Sequence, residues 1–291
     1  MARLTKIIII ITISVGILAV LWRDTFDPGV LSAARILLTG ASRGIGEQMA
    51  YHYARFGGEL VITARNKTLL KQVEEKCLQL GAKKVYSFSA DMSDPKSADQ
   101  VVQFALEKLG SLDYLVLNHI GNDPFDMWNG NAELTNWMIQ VNFLSYVQMT
   151  AAALPTLTKT NGSIIVVSSL CGKIPHPYVT SYSASKFALD GFFNSLHLEL
   201  MMQKKNVSIT LCILGLIDTE AAMEKIRARG LLTVSPSPAS EAALSIIKGG
   251  AVRLRVVYHP SWIALIVYTR EWFNELRDTL IYNMYPVKDG Q

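Results

Sequence analysis

The feature that most constrains this chain is a regular alternation of short apolar runs with longer segments of helical length. Strand, helix, strand repeated in this way implies right-handed βαβ crossovers and a parallel sheet covered by helices on both faces. The predicted strands are 35–40, 59–64, 84–90, 113–118, 163–169, 207–214 and, as a seventh, 255–258. The segments of helical length include 44–57, 67–81, 95–109, 132–158 and 181–204. The pattern predicts an α/β fold with a doubly wound parallel sheet of six to seven strands.

The chain is long enough for one such domain with an extension at each end. We predict a single domain over 35–259, a linker at 24–34, an apolar segment at 1–23 and a C-terminal helical extension at 260–291. Domains of about 250 residues are common for α/β folds. The C-terminal extension mixes aromatic, aliphatic and arginine residues, as amphipathic helices do. It is expected to cover a subunit interface, to touch a membrane surface or to pack on its own domain.

The N-terminal segment predicts entry into the secretory pathway. Residues 7–22 form an apolar run of 16 residues, which would reach about 24 Å as a helix and falls short of the roughly 30 Å hydrocarbon core. A cleaved signal peptide and a retained anchor both fit. Basic residues before the run and acidic ones after it favour an anchor in the endoplasmic reticulum membrane, with the body in the lumen. The protein would be secreted if the segment were cleaved.

Three N-x-S/T sequons, at Asn66, Asn161 and Asn206, fit a lumenal glycoprotein. Asn66 directly follows a predicted cofactor residue and is the least expected of the three to carry a glycan.

Composition argues against several other classes of protein. There are 28 Lys and Arg residues against 24 Asp and Glu, for a net charge of +4, with no long basic run, so nucleic-acid binding is not expected. Cys77, Cys171 and Cys212 are too scattered for a disulfide framework or a metal cluster. We interpret them as buried free thiols and predict no metal site.

A glycine-rich turn follows the first predicted strand. Glycines at 40, 44 and 46 lie where a strand must turn sharply into a helix whose N-terminus can meet a pyrophosphate. The strand before the turn and the helix after it supply the context that makes such a turn informative. The predicted cofactor contacts here are Gly40, Ala41, Ser42, Arg43, Gly44, Ile45 and Gly46.

The second predicted strand indicates which nicotinamide dinucleotide binds. It ends at Ala64 and Arg65, where proteins that use NAD usually carry an acidic residue for the ribose hydroxyls. An arginine there suits the 2′-phosphate of NADP, and Arg43 adds a second cation. We therefore predict NADP(H) as the cofactor.

Further cofactor contacts are expected at the ends of the third and fourth strands. The carboxyl ends of parallel strands meet at one edge of the sheet, where ligands bind in open α/β folds. The predicted residues are Asp91, Met92, Asn118, His119 and Ile120. His119 has no visible acidic partner, so it is expected to line the cofactor pocket or simply to be packed, not to act as a base.

The catalytic prediction centres on Tyr182 and Lys186. Residues four apart share a helix face, so the ammonium lies beside the phenol. Lys186, together with an oxidised nicotinamide, is expected to lower the phenol pKa toward the working range. Lys186 also holds the nicotinamide ribose. Ser169 would hydrogen-bond the substrate oxygen, and Asn142 would hold a water that relays protons from Lys186.

These residues resemble the motifs of the short-chain dehydrogenase/reductase family over almost all of the folded length. The match rests on T-G-x-x-x-G-x-G at 39–46, Asn142, Ser169 and Y-x-x-x-K at 182–186. It implies a Rossmann-type sheet and an oxidoreductase acting on CH–OH groups. Stretches at 115–121, 182–193 and 206–220 resemble the family's 11β-hydroxysteroid dehydrogenases.

That resemblance implies an NADP-dependent enzyme interconverting a hydroxyl and a ketone at the 11-position of glucocorticoids, cortisol and cortisone being the pair. It implies that the segment 215–221 folds over the nicotinamide, with cofactor contacts at Gly215, Leu216, Ile217, Thr219 and Ala221. The steroid would meet Ser169, Tyr182, Val179 and Leu216. His176 replaces a tyrosine of those enzymes, which puts the exact steroid in doubt. A homodimer is also implied.

Two alternatives stay open. The same reaction on a retinoid, another sterol or a xenobiotic carbonyl would fit an apolar rim formed by Ile120, Val179 and Leu216. A secretory-pathway protein that binds NADP or a lipid without turnover is the other alternative. Loss of Ser169, Tyr182 or Lys186 would mark that second class, and all three are present.

Overall fold

A computed structural model of the protein describes residues 26–230 and 235–285, so the predicted N-terminal anchor or signal lies outside the described residues. The main sheet within these ranges has seven strands, all paired in parallel. Its strands are β1 (Arg35–Thr39), β2 (Glu59–Ala64), β3 (Lys84–Ser89), β4 (Tyr114–Leu117), β5 (Ser163–Ser169), β6 (Ser208–Leu214) and β9 (Val256–His259). A short pair, β7 (Ile217–Asp218) and β8 (Ser237–Pro238), lies apart from it. The predicted α/β fold is confirmed.

The strand order is β3-β2-β1-β4-β5-β6-β9. The chain moves outward from β1 to β3, then returns to the other side of β1 with β4 and moves outward again. The order therefore reverses between β1 and β4. A crevice opens at such a switch point, outside the carboxyl ends of the strands, and it is where open α/β sheets bind their ligands.

Helices cover both faces of the sheet. They are α1 (Gly44–Arg55), α2 (Lys67–Gln79), α3 (Pro95–Leu109), α4 (Ala132–Ile139), α5 (Ser145–Thr160), α6 (Thr180–Met202), α7 (Glu220–Arg229), α8 (Ala239–Ala251), α9 (Ile263–Thr269) and α10 (Asn274–Met284). One apolar core packs α1, α2 and α8 on one face, and a second packs α3, α5 and α6 on the other. β5 and β6 are buried along almost their whole length, as strands covered on both faces must be.

Two predicted helical segments are divided in the structure. The segment 132–158 contains a π-helical turn, Gln140–Leu144, between α4 and α5. Such turns insert one residue into the helix and often occur at functional sites. The C-terminal extension forms two helices, α9 and α10, rather than one.

The C-terminal helices expose an unusual amount of apolar surface. Ile263 and Val267 of α9 are buried against the domain, whereas α10 has no buried residue. Trp272, at 72 % exposure, and Leu265, at 70 %, are among the most exposed large apolar side chains of the described residues. No helix in residues 26–230 or 235–285 is long and apolar enough to span a bilayer.

Candidate active site

The glycine turn after β1 is packed so closely that it has no room for side chains. Gly40 has φ +66°, and a β-carbon there would lie 2.8 Å from the His119 Cα. A β-carbon at Gly46 would lie 2.1 Å from the Gly40 carbonyl oxygen. The backbone itself therefore forms the floor beneath the start of α1, and this floor fits a pyrophosphate at the helix N-terminus.

Replacing Gly46 with alanine is expected to lower the melting temperature by at least about 10 °C, since overpacking costs roughly 1–3 kcal/mol and more where backbone must move. Thermal unfolding of the purified variant measures the effect. Gly191→Ala is the matched control: Gly191 lies within α6, and a β-carbon there meets nothing within 4 Å. It should stabilise the protein by up to about 1 kcal/mol. Equal melting temperatures for the two variants would contradict the close packing.

The segment after β6 lies over this turn. A β-carbon at Gly44 would be 3.1 Å from the Thr219 Cγ2, and the Thr219 hydroxyl accepts a hydrogen bond from the Ala222 amide at the start of α7. Ile217 is buried in the core, while Leu216 is half-buried and Ala221 is exposed. The structure thus brings 215–221 to the glycine turn, and the individual cofactor contacts of these residues stay predictions.

A cleft of about 400 Å³ opens beside the glycine turn and holds one of the two predicted cations. Its wall includes Ser42, Arg43 and Glu220. The Arg43 Nη1 lies 4.0 Å from a carboxylate oxygen of Glu220, and both side chains are largely exposed. Arg65 is also exposed, just past the end of β2. Neither guanidinium is buried in an ion pair, so both remain available for an anionic ligand.

The end of β4 holds the glycine turn in place. The Asn118 side-chain amide donates to the carbonyl oxygens of Thr39 (3.0 Å) and Gly40 (3.2 Å). His119 is buried, with Nδ1 2.9 Å from the Thr39 hydroxyl and Nε2 2.7 Å from the Ser145 hydroxyl. Burial lowers the pKa of His119 to about 3. The packed alternative is therefore the correct one for this imidazole.

The other predicted residues of this edge differ in exposure. Met92 is buried in the core beside α3, whereas Asp91 and Ile120 are exposed. Their contacts with a cofactor stay predictions.

Tyr182 and Lys186 share one face of α6, as their spacing predicts. The Lys186 Nζ lies 5.6 Å from the centroid of the Tyr182 ring and donates to the Val167 carbonyl oxygen at 3.0 Å. This bond joins α6 to β5, the strand that ends at Ser169. The phenol, the ammonium and the serine hydroxyl are thereby brought together at the carboxyl edge of the sheet.

The expected lowering of the phenol pKa by Lys186 is wrong for the protein by itself. Burial raises the pKa of Tyr182, and a hydrogen bond from Ser169 only partly opposes this. Burial also lowers the pKa of Lys186 to about 7. Desolvation outweighs the attraction between the two groups because both are enclosed and the ammonium is not in contact with the phenol oxygen.

Ser169 ends β5 and begins a 3₁₀ turn, Leu170–Gly172. Its hydroxyl accepts a hydrogen bond from the Cys171 amide at 3.1 Å. This bond fixes the orientation of the serine side chain next to Tyr182. The hydroxyl can still donate to a substrate oxygen, because accepting the amide leaves its own hydrogen free to rotate.

Asn142 lies in the π-helical turn and is fully buried. Its side-chain oxygen accepts from the Gly121 amide at 2.7 Å, and its side-chain nitrogen donates to the Ser185 hydroxyl at 3.0 Å. The Ser185 hydroxyl in turn donates to the Tyr182 carbonyl oxygen at 2.6 Å. Asn142 therefore holds the turn of α6 that carries Tyr182. Its predicted role in a proton relay stays a prediction.

Sequence reasoning missed the loop after β4 as a wall of the site. The Lys225 Nζ of α7 donates to the Asp123 carbonyl oxygen. Arg229 pairs with Asp126 at 2.7 Å, and its guanidinium lies 4.6 Å from the Tyr178 ring centroid. Two basic residues four apart, together with aromatic and acidic residues after β4, were the available signals. The predicted substrate contact Val179 lies beside Tyr178 and is buried.

Comparison with known proteins agrees with this geometry. The family model described as short chain dehydrogenase matches residues 34–230. A Gallus gallus protein named hydroxysteroid 11-beta-dehydrogenase 1-like protein is 65% identical over 247 residues, which cover 85% of each chain.

Two solved structures show the same fold. A short-chain dehydrogenase/reductase from Burkholderia phymatum in complex with NAD superposes with a TM-score of 0.76 at 19% identity, covering 90% of this chain and 98% of that one. A short-chain dehydrogenase from Burkholderia cenocepacia in complex with NADP gives a TM-score of 0.69 at 23% identity, covering 78% and 96%. With its glycine turn and its Ser169, Tyr182 and Lys186 cluster, the chain belongs to the short chain dehydrogenase family of oxidoreductases acting on CH–OH groups.

Proposed function

We propose that the protein is an NADP(H)-dependent oxidoreductase that interconverts a steroid hydroxyl and ketone, with 11β-hydroxysteroid dehydrogenase activity on glucocorticoids such as cortisol and cortisone. The observation that carries the proposal is the meeting of Ser169, Tyr182 and Lys186 beside the glycine turn, at the switch point of the sheet. The name of the Gallus gallus relative supports the steroid assignment.

The residues of this edge fit a nicotinamide dinucleotide. The packed backbone of Gly40 and Gly46 leaves the start of α1 open to a pyrophosphate, and Arg43 and Arg65 are exposed where a 2′-phosphate would lie. When bound, the cofactor supplies or accepts the hydride at its nicotinamide ring. Solved structures of similar fold carry NAD or NADP, which supports the class of cofactor.

The residues of the chain handle the proton and the oxygen of the substrate. Tyr182 gives a proton to the carbonyl oxygen in reduction and removes one from the hydroxyl in oxidation. Ser169 donates a hydrogen bond to the same oxygen and stabilises the negative charge that develops there. Lys186 holds positive charge below the phenol. A cationic nicotinamide must add to that charge for the Tyr182 pKa to approach neutrality, since burial by itself raises it.

The proposed activity is tested by a matrix of two cofactors and a panel of carbonyl and hydroxyl substrates on the purified protein. Turnover of 11-keto or 11-hydroxy steroids with NADP(H) is the expected result. Turnover restricted to a retinoid, another sterol or a xenobiotic carbonyl would transfer the reaction to the alternative substrates. Cofactor binding without turnover of any panel member would support the non-catalytic alternative.

We expect the double variant Arg43→Ala, Arg65→Ala to weaken NADPH binding by roughly 10- to 100-fold, because each lost phosphate contact of this charge-assisted kind is worth about 1.5–3 kcal/mol at most. NADH affinity should change by less than about threefold, since NADH lacks the 2′-phosphate. Fluorescence titration of the reduced cofactors measures both. Arg55→Ala, a substitution on the last turn of α1, is the control. Equal losses for NADPH and NADH would refute the role of the two arginines.

We also propose that the body of the protein lies in the lumen of the secretory pathway, in the endoplasmic reticulum or secreted if the N-terminal segment is cleaved. All three sequon asparagines are exposed. The Asn66 side chain caps α2 by accepting from the Leu69 amide at 3.0 Å. In expression of the full chain in animal cells, Asn161→Gln and Asn206→Gln should each remove one endoglycosidase-sensitive shift, and Asn66→Gln should remove none. An unshifted wild-type band would contradict the lumenal assignment.

The exposed apolar surface of α9 and α10 supports two further proposals about partners. We propose that the protein is a homodimer and that this surface contributes to its interface, with the N-terminal segment contacting the membrane if it is retained. Exposed apolar patches of this extent mark interaction surfaces in soluble domains. Sedimentation of the detergent-solubilised protein would show a dimer, and Leu265→Glu should shift it toward monomer.

A further inference from the structure

Cys171 lies on the 3₁₀ turn that directly follows the catalytic serine. Its amide donates to the Ser169 hydroxyl at 3.1 Å. The next residue, Gly172, packs so tightly on α6 that a β-carbon there would lie 2.8 Å from the Lys186 carbonyl oxygen. The thiol is thus held close to the catalytic cluster by backbone contacts on both sides.

His176 faces this thiol. Its Nδ1 lies 3.8 Å from the Cys171 sulfur and 3.0 Å from the Ile174 carbonyl oxygen. A carbonyl oxygen only accepts hydrogen bonds, so Nδ1 carries a hydrogen, and this N–H lies within reach of the sulfur as well. A donor facing sulfur stabilises the thiolate, which is the nucleophilic form of cysteine.

The other ionisable groups around Cys171 come from several elements. Asp123 of the loop after β4 opposes thiolate formation, whereas Lys186 and Tyr182 of α6, and Tyr285 after α10, have their own pKa values affected by Cys171. Burial raises the pKa of Cys171, but hydrogen bonds and charge from His176, with a hydrogen bond from Ser169, bring it below its ordinary value. The net balance favours the thiolate.

The two other cysteines provide a direct contrast. Cys77 lies in the core under α2, where burial raises its pKa to about 12, and burial of Cys212 in β6 raises its pKa further. Cys171 is half-buried, not fully enclosed, and has a histidine within reach of its sulfur. The sequence-based interpretation of all three as inert buried thiols therefore holds for Cys77 and Cys212 only.

We propose that Cys171, with His176, is a covalent modification site for soft electrophiles, and in particular for α,β-unsaturated ketones that enter the substrate side of the cluster. The thiolate sulfur forms a bond to the β-carbon, the electron pair of the carbon–carbon double bond moves to the α-carbon as an enolate, and that carbon takes up a proton from the His176 imidazolium. The thiol adds across the double bond, with no oxidant or reductant.

The adduct would inactivate the site that Tyr182 and Ser169 form. The modified sulfur is attached one residue beyond the 169–170 peptide, on the turn whose amide orients the serine hydroxyl. The chemistry requires only that a ketone-sized molecule reach this edge, so it rests on the proposed function for the choice of ligand and not for the reactivity of the thiol.

The test uses the full chain, prereduced, with but-3-en-2-one as the probe, and follows labelling by intact mass and peptide mapping. We expect one adduct, on Cys171, with activity lost in proportion to its formation. The labelling rate should rise with pH around a midpoint at least about one unit below that of N-acetylcysteine with the same probe, because the thiolate is the reacting form. First labelling at Cys77 or Cys212, or a midpoint equal to that of the free thiol, would overturn the proposal.

Two variants separate the role of each residue. His176→Gln should move the midpoint upward by about one unit and slow labelling at pH 7 by roughly tenfold. Cys171→Ser should abolish labelling and make whatever turnover it retains insensitive to the probe, whereas Cys77→Ser should label as the wild type does. An unchanged midpoint in a folded His176→Gln preparation would overturn the pairing. Labelling is read without turnover, so a protein that labels as expected but turns over no steroid would separate this proposal from the proposed function.

Discussion

Replacing Tyr182 with phenylalanine is expected to lower kcat by roughly 10²- to 10⁴-fold, the range over which a positioned acid or base contributes to a rate. The variant removes the one hydroxyl that α6 presents beside Ser169 and Lys186 and keeps the ring that packs there. Steady-state assays with NADP(H) and the steroid that the panel selects measure the loss. Titration with NADPH should show binding within about threefold of the wild type, because the phenol acts on the substrate oxygen.

The control for this variant is Tyr86→Phe, which deletes the same hydroxyl from β3, the strand at the far edge of the sheet. It should leave kcat within about twofold of the wild type. Turnover that survives in Tyr182→Phe protein, with its mass verified, would exclude the tyrosine as the proton donor and acceptor.

Replacing Lys186 with methionine is expected to lower kcat by roughly 100-fold or more and yet to stabilise the fold at neutral pH. Lys186 is 1 % exposed, and burial lowers its pKa to about 7, against about 10.5 for an exposed lysine. At pH 7 the folded protein therefore holds this ammonium at a cost that the unfolded chain does not bear. Methionine fills a similar volume without a charge, so the free energy of unfolding should rise by about 1–2 kcal/mol, after loss of the bond to Val167.

The pH dependence identifies the cause. Between pH 7 and about 10.5 the folded wild type binds fewer protons at this site than the unfolded chain does, so its contribution to stability rises with pH. Below pH 7 the cost is fully present, and above about 10.5 it is gone. The stability advantage of Lys186→Met should therefore be largest at pH 6–7 and shrink toward pH 10.

Denaturant unfolding of both proteins across this range measures that difference, in which the titration of all other groups cancels. Lys83→Met, at an exposed position before β3, is the control and should show no such trend. A Lys186→Met protein less stable than the wild type at every pH would mean that the hydrogen bond to Val167 outweighs the cost of burying the charge.

The sheet and the cofactor edge were predictable from local patterns. Each of the seven predicted strands is observed within a residue or two of its predicted bounds, because apolar runs of this length must be buried on both faces. The glycines at 40 and 46 were assigned from their place between a strand and a helix, and the close packing of the turn provides the physical reason for them. The i, i+4 spacing of Tyr182 and Lys186 placed both on one face for the same kind of reason.

The division of the segment 132–158 was not predictable. Its apolar pattern continues through Asn142, and only the contacts of that side chain with Gly121 and Ser185 reveal why the helix changes its winding there. Nor did the sequence reveal that His119 would be fully occupied by Thr39 and Ser145, since its partners lie on other elements.

The sequence by itself determined the fold class, the family, the glycine turn and the catalytic residue types, because these depend on periodicity and spacing within single elements. Only the tertiary structure decided the electrostatics and the walls of the site. Burial, which raises the pKa of Tyr182 and lowers that of Lys186, depends on how α6 packs on β5. The contacts of Lys225 with Asp123 join residues 102 positions apart, and those of Cys171 with His176 depend on the path of one short loop. Contacts of this kind have no periodic signature in a sequence, since they are set by where separate segments meet in space.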